Sequence, residues 1–288
     1  MRPILYHYAA SPWAEVVRLA LGLKGLAWGS VEVPAICPKP EQAALTGGYV
    51  RTPVLQIGAD VYCDTLAILD ALEAHRPEPT LFPEPLGRGH RSLAMEAGGQ
   101  TFLAAVGMAL GDMPVAGNEA FWADRERRFG LRPEAFRAMV PALREAFGAH
   151  LARLEAMLAD GRPFLGGDAP GHGDLAHAML LWFAARGGPV QPLSAALAPW
   201  ALRVFALGHG RPEPMTATAA LAEARAATPS VAGDGPLVRV TQLGSADPPV
   251  EGRLVREGAD GFTLLRETPD LGLVAVHFPR EGQLVERA

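Results

Sequence analysis

Asp64 and Thr65 stand side by side where an apolar stretch ending in Tyr62-Cys63 gives way to a helical pattern. A carboxylate and a hydroxyl at a helix start offer partners to the ammonium and carboxylate of an amino acid, and the helix dipole favours the anion. Either residue also serves as a helix cap, and capping and binding are compatible. Ser11 is the second candidate. It precedes Pro12 and a helical run, which makes it a strong N-cap, and a helix start is where a thiol's pKa is depressed. Thr52 and Pro53 open an apolar strand; a proline cannot donate to a sheet, so this one belongs at a strand start or edge. Cys37 and Cys63 show neither metal nor disulfide spacing, and Cys63 reads as core filler. His172 and His177, five apart, share no metal-ligand register and read as ordinary surface or helix residues. The chain has no G-x-S-x-G, no H-E-x-x-H, no phosphate loop and no dinucleotide fingerprint.

These residues need elements to position them. Strand patterning opens at PILYHY, and the stretch from Ser11 to Gly25 predicts a helix, because Trp13, Val16, Val17, Ala20 and Leu21 recur at three- and four-residue steps. LAWGSVEV reads as a second strand closed by Pro34, and CPKPEQAALTGGY as an irregular piece with at most a short helix. A hairpin follows, PVLQI and VYC joined at Gly58-Ala59-Asp60, then a helix with Leu66, Leu69 and Leu72 on one stripe. A Pro- and Gly-rich linker comes next, and from Leu93 to about Ala227 the periodicity is helical throughout. After a second linker, TPSVAGDGP, the chain turns to short alternating strands, the signature of a small antiparallel barrel or sandwich. The predicted organisation is an α/β domain over 1–75, an all-helical domain over 92–227 and a small β domain over 235–288.

Nearly half of the 288 residues are hydrophobic and a fifth are charged, ample for a substantial core in a globular chain. A formal net charge of −5 argues against nucleic acid as the main partner, since phosphate binding needs a basic stripe. The longest apolar run, AMLLWFAA from Ala178, is too short to span a bilayer. His7, Ser11, Pro12, Glu15 and Arg18 break any signal-peptide core, so a reducing cytoplasm is the expected setting.

The order of these elements resembles the glutathione transferase superfamily over roughly residues 1–225. Four stretches carry the resemblance: YAASPWAEVVRLAL, RTPVLQIGADVYCDTLAILDALE, GRPFLGGDAPGHGDLAHAM and, more weakly, APWALRVFAL. The resemblance implies a thioredoxin-like first domain with a cis bond before Pro53, and a Thr52 backbone that pairs with the cysteinyl part of glutathione like an added strand. It makes Asp64 and Thr65 the holders of the γ-glutamyl group. Lys39 and Arg51 become candidates for the glycine carboxylate, each with solvated surface charge as the plainer alternative. GRPFLGGDAPGHGDLAHAM resembles the family's capping motif, with Asp174 three residues after the cap; Gly171 replaces the usual Ser or Thr and leaves half a capping box. That role is structural, not catalytic.

The helix start at Ser11-Pro12-Trp13-Ala14 holds no thiol, which excludes disulfide exchange there. In the family a Ser at this place donates to the glutathione thiol and favours the thiolate, with Tyr6 or Tyr8 as rivals for that work. Alternation puts both tyrosines on one strand face, where core packing is expected. The reading is a glutathione-dependent enzyme whose thiolate attacks an apolar electrophile in conjugation, peroxide reduction or isomerisation. The second substrate would lie between the domains near Tyr8, Phe102 and Trp122. The alternative is a binding or scaffold protein whose β segment recruits a partner. A homodimer is expected by analogy. All the proposed ligands precede residue 75, so the terminal β segment is expected to be dispensable for glutathione.

Overall fold

The computed structural model describes residues 1–188 and 193–288. Its first helix, α1 (Pro12–Leu23), begins as the sequence predicts. Ser11 caps it in extended conformation and Pro12 takes the first helical place, where its missing N–H costs nothing. Strand β1 (Ile4–His7) pairs in parallel with β2 (Ala27–Glu32) and antiparallel with β3 (Val54–Ile57), which forms a hairpin with β4 (Asp60–Cys63). A short helix, α2 (Pro40–Thr46), occupies the irregular piece, and α3 (Thr65–His75) follows β4. The Thr52–Pro53 peptide is cis, and β3 and β4 run antiparallel, both as expected.

The second region is helical: α4 (Gly89–Glu96), α5 (Gly99–Leu110), α6 (Glu119–Phe129), α7 (Pro133–Met157), α8 (His172–Ala184) and α9 (Leu197–Phe205). Its continuation to Ala227 differs from expectation. Residues Arg211–Pro214 form β5, which pairs in parallel with β2, and α10 (Ala217–Arg225) lies back on the first sheet. Two prolines in four residues read against a strand, and β5 tolerates them because it is an edge.

The terminal strands are β6 (Leu237–Gln242), β7 (Val250–Glu257), β8 (Gly261–Thr268), β9 (Gly272–Pro279) and β10 (Gln283–Arg287). They are antiparallel, as expected, but they do not close on themselves. β9 pairs in parallel with β4, so a single ten-stranded sheet runs β10-β6-β7-β8-β9-β4-β3-β1-β2-β5. Alternation along β1 shows what each face does. Leu5 joins Val17, Trp28 and Leu69 beneath the helical region, whereas Ile4 and Tyr6 share a second core with Val61, Val240, Phe262 and Phe278. Fully burying each such apolar side chain stabilises by about 1.5–3 kcal/mol. The terminal strands are thus part of a common core.

Candidate ligand site

The strand registers bring the candidates together. Tyr6 lies opposite Val54 and Val54 opposite Cys63. The ends of β1 and β4 therefore meet the start of β3, and the residues just beyond them, Ser11, Thr52-Pro53 and Asp64-Thr65, converge at one end of the sheet.

Asp64 sits at the N-cap of α3 with φ 79°, and its Oδ1 accepts the Leu66 N–H at 3.0 Å. Among the described residues that is the carboxylate's one hydrogen bond. Burial raises its carboxyl above the ordinary value, opposed by the Leu66 N–H and the charge of Arg51. Thr65 follows as a buried first helical residue. A half-enclosed acid with acceptor sites to spare suits a cation at a helix start.

Ser11 Oγ accepts the Ala14 N–H at 3.3 Å, and its own N–H donates to the Tyr8 carbonyl at 3.0 Å. The cap uses the hydroxyl as acceptor and leaves its proton to donate. Ser11 is only 1% exposed, so any thiol must approach it closely. The loop before it is tied from below by a network that no local pattern announces. Arg18 donates to the carbonyls of Tyr8 (3.3 Å) and Ala9 (3.2 Å) and forms a buried pair with Glu15 at 2.6 Å. His209 Nε2 lies 2.9 Å from the other Glu15 oxygen. Burial alone would raise Glu15; its bonds to His209 and the Arg18 charge outweigh that and hold it below the ordinary value. His7 lies 3.1 Å from Arg18, and burial lowers it to about 4, so it is neutral at pH 7.

The tyrosines separate. Tyr6 is fully buried, and its hydroxyl donates to Gln56 at 2.8 Å while Gln56 donates to the Ala220 carbonyl of α10. Burial raises its phenol, the wrong direction for thiol activation. Tyr8 lies beyond the strand with Lys39 Nζ 5.6 Å from its ring centroid.

The two basic candidates also part. Lys39, 3% exposed, donates to Thr52 Oγ1 at 2.6 Å, and burial, with Arg128 and Arg125 nearby, lowers it to about 8. Arg51 instead reaches into the terminal region: its Nη2 donates to Leu243 O and Ser245 Oγ, both at 2.8 Å, and its Nε lies 3.6 Å from Asp247. Asp247 in turn grips Arg128 of α6 with bonds of 2.6 and 2.9 Å. Lys39 is the cation left with a hydroxyl as its hydrogen-bonded side-chain partner.

Several expectations need correction. Trp122 is buried against Phe121 and Phe136 within the helical region, whereas Phe102 of α5 packs on Trp13 of α1 as well as on Phe183 and so lies between the two regions. His172 and His177 are buried rather than on the surface, and burial lowers each to about 3. Other expectations hold: Cys63 is core filler, fully buried, and burial pushes its thiol up. Asp174 behaves as the half box requires: its Oδ2 accepts the Gly171 N–H, and its Oδ1 accepts Leu165 N–H and Trp200 Nε1–H. The glycine has a local reason. A Cβ at Gly171 would stand 2.4 Å from the buried His90 ring.

Residues 5–80 match the family model described as glutathione S-transferase, N-terminal domain. A GST-like protein from Pseudomonas syringae of solved structure is 34% identical, with a TM-score of 0.82, and the similarity covers 100% of this chain and 99% of that one. The chain belongs to the glutathione transferase superfamily. It shares with the Pseudomonas protein a likeness that runs through the terminal strands. Among curated proteins it is similar to a probable maleylacetoacetate isomerase 1 of Drosophila melanogaster, 32% identical over 89 residues. That match spans 29% of this chain and 36% of the relative's length. A glutathione S-transferase from Methylobacterium radiotolerans, solved with glutathione sulfonate, is 23% identical over 75% of this chain and 98% of its own, with a TM-score of 0.51. At that identity the likeness concerns the fold.

Proposed function

We propose that the protein binds glutathione and activates its thiol for attack on an electrophilic small molecule. The observation that carries this reading is Asp64: a carboxylate raised by burial, bonded to one backbone N–H, beside Thr65 and the free Thr52-Pro53 backbone. An α-ammonium would supply its missing counter-charge. Thr65 and the start of α3 would take the α-carboxylate, the Thr52 backbone the cysteinyl unit, and Lys39 the glycine carboxylate. The thiol would then reach the start of α1, where the Ser11 proton and the helix dipole favour the thiolate. The relative's name, probable maleylacetoacetate isomerase 1, and membership of the glutathione transferase superfamily support glutathione chemistry in general. A cytoplasmic homodimer belongs to the proposal, and light scattering that finds one chain at micromolar concentration would remove the dimer.

Two observations favour the second reading, a binding or scaffold protein. Ser11 is almost fully covered, and Arg51 is committed to the terminal region. The test is glutathione titration against unfolding. A hundredfold excess over the dissociation constant should stabilise by about 2.7 kcal/mol. Asp64→Asn keeps the oxygen that caps α3 and removes the charge. It should raise stability at pH 7, since ionising a buried acid costs free energy there, and weaken glutathione by about 1.5–3 kcal/mol. Unchanged affinity in Asp64→Asn would misplace the site.

A further inference from the structure

Polar atoms without partners also occur on the terminal strands. Along β6, Val238 and Val240 point into the shared core, and Gln242 follows on the same alternation at 1% exposure. Its Oε1 accepts no hydrogen bond, and its amide nitrogen turns back to the Val240 carbonyl. Gln283 of β10 stands directly across from it, with neither its Nε2 nor its Oε1 partnered. The Arg51 Nε is buried without a hydrogen bond, while Arg51 Nη2 reaches the Gln242 and Leu243 carbonyls. Arg51 is one residue from Thr52-Pro53, which the β3–β4 register places beside Asp64 and Thr65. Orphaned buried amides are costly and uncommon in native proteins. Two residues carrying them stand side by side, Arg51 reaches the backbone of one of them, and the Arg51 charge acts on Asp64.

We propose that the terminal sheet completes the pocket: Gln242, Gln283 and the Arg51 Nε join Asp64 and Thr65 in gripping the α-amino-acid end of a γ-glutamyl thiol. This rests on the glutathione reading and names residues for it that lie outside residues 5–80 of the family match. The donor sets are complementary. Gln242 Oε1 and the Asp64 carboxylate accept from the ammonium; Arg51 Nε, Gln283 Nε2 and the Thr65 hydroxyl donate to the carboxylate. The Arg51 guanidinium and the Asp64 carboxylate would face the carboxylate and ammonium of a zwitterion, with Asp247 3.6 Å from the Arg51 Nε as a competing partner. The expected independence of the glutathione site from the terminal segment is thereby reversed.

Gln242→Leu and Gln283→Leu test this in the full chain, with glutathione as probe and its deaminated form as control. Gln283→Leu should melt at or above the wild-type temperature, because it removes an amide with no partner, and Gln242→Leu close to it, since an orphaned oxygen goes together with the bond to the Val240 carbonyl; both should bind glutathione at least about tenfold more weakly, the size of one hydrogen bond to a charged group. Gln242→Leu should leave the affinity for deaminated glutathione unchanged, since that ligand has no ammonium to lose; Gln283→Leu should weaken it. Melting temperatures that fall in both leucine variants would make the two amides a structural pair and overturn the proposal. Equal glutathione binding by wild type and variants would overturn it alone, whereas a wild type that ignores glutathione overturns the parent reading as well. An equal response to free glutamate would overturn the γ-glutamyl assignment.

Discussion

At the scale of single residues, Ser11 caps α1, and the proposal gives the same hydroxyl a second role toward the thiol. Its oxygen accepts from Ala14 while its proton stays available, so Ser11→Ala should have two separable effects. Stability should fall by about 1 kcal/mol for the lost cap. Turnover with a model electrophile should fall further, by about 1.36 kcal/mol for each pKa unit by which the bound thiol rises. The pH–rate profile of wild type should show a thiol pKa below that of free glutathione, shifted upward in the variant. A variant that loses stability but keeps its rate and profile would leave Ser11 a cap alone. Residue identity made Ser11, Thr52, Pro53, Asp64 and Thr65 legible, because caps, strand-opening prolines and helix starts are local signals. The fate of Arg51 was not legible. Its partners at Leu243, Ser245 and Asp247 lie nearly two hundred residues downstream, and a charge in a loop reads as solvated until the fold supplies its counter-ion. The Glu15–Arg18–His209 cluster hid for the same reason.

Among the elements, α8 begins on a compromise. Gly171 forgoes a side-chain cap, and Asp174 compensates with three hydrogen bonds of its own. Gly171→Ser would gain only a few tenths of a kcal/mol as a cap. Its Cβ would meet His90, and overpacking of this kind costs about 1–3 kcal/mol. The variant should therefore be destabilised in urea unfolding despite the better capping residue, and His90→Ala should relieve part of that loss in the double variant. A Gly171→Ser protein as stable as wild type would show that the ring moves aside. Helices α1, α3 and α7 were readable because periodicity is local. Strand β5 was not: RPEP denies the usual strand chemistry, and only the free edge of β2 explains it.

For the whole molecule, alternation told which faces of the terminal strands point inward but not which strand they would meet. The edge of β4 decides that, and the β9 contact is stapled there: Asp60 accepts from the Ser230 N–H and hydroxyl and lies 2.7 Å from His277, whose ring stacks on Tyr62. A second staple joins the helical region to the β6–β7 loop through Arg128 and Asp247, side chains 3% and 1% exposed. Burial would raise Asp247, but the Arg128 bonds and charge hold it below the ordinary carboxylate value. A depressed acid contributes stability that is complete above its unfolded pKa of about 3.9 and is lost as the pH falls through the folded value. Asp247→Asn should thus destabilise by about 3–5 kcal/mol at pH 7, as breaking a buried pair does. The gap between wild type and variant should narrow as the pH is lowered below about 4, which urea unfolding across pH will show. A gap that stays constant with pH would deny Asp247 its charge.

The pairing of β4 with β9 also sets an order on the ribosome. Strand β4 is made by residue 63, and its neighbour spans Gly272–Pro279. At about 5–20 residues per second, synthesis leaves that edge open for on the order of ten to forty seconds. During that interval the nascent chain exposes a ready template for another chain's strand, the usual hazard of an unpaired edge. Loop closure over so long a span is slow even after release, so completion of the sheet belongs among the last events of folding. The hairpin that carries Pro53 and Asp64 is thus born early and framed late, by a strand that leaves the exit tunnel some two hundred residues after it.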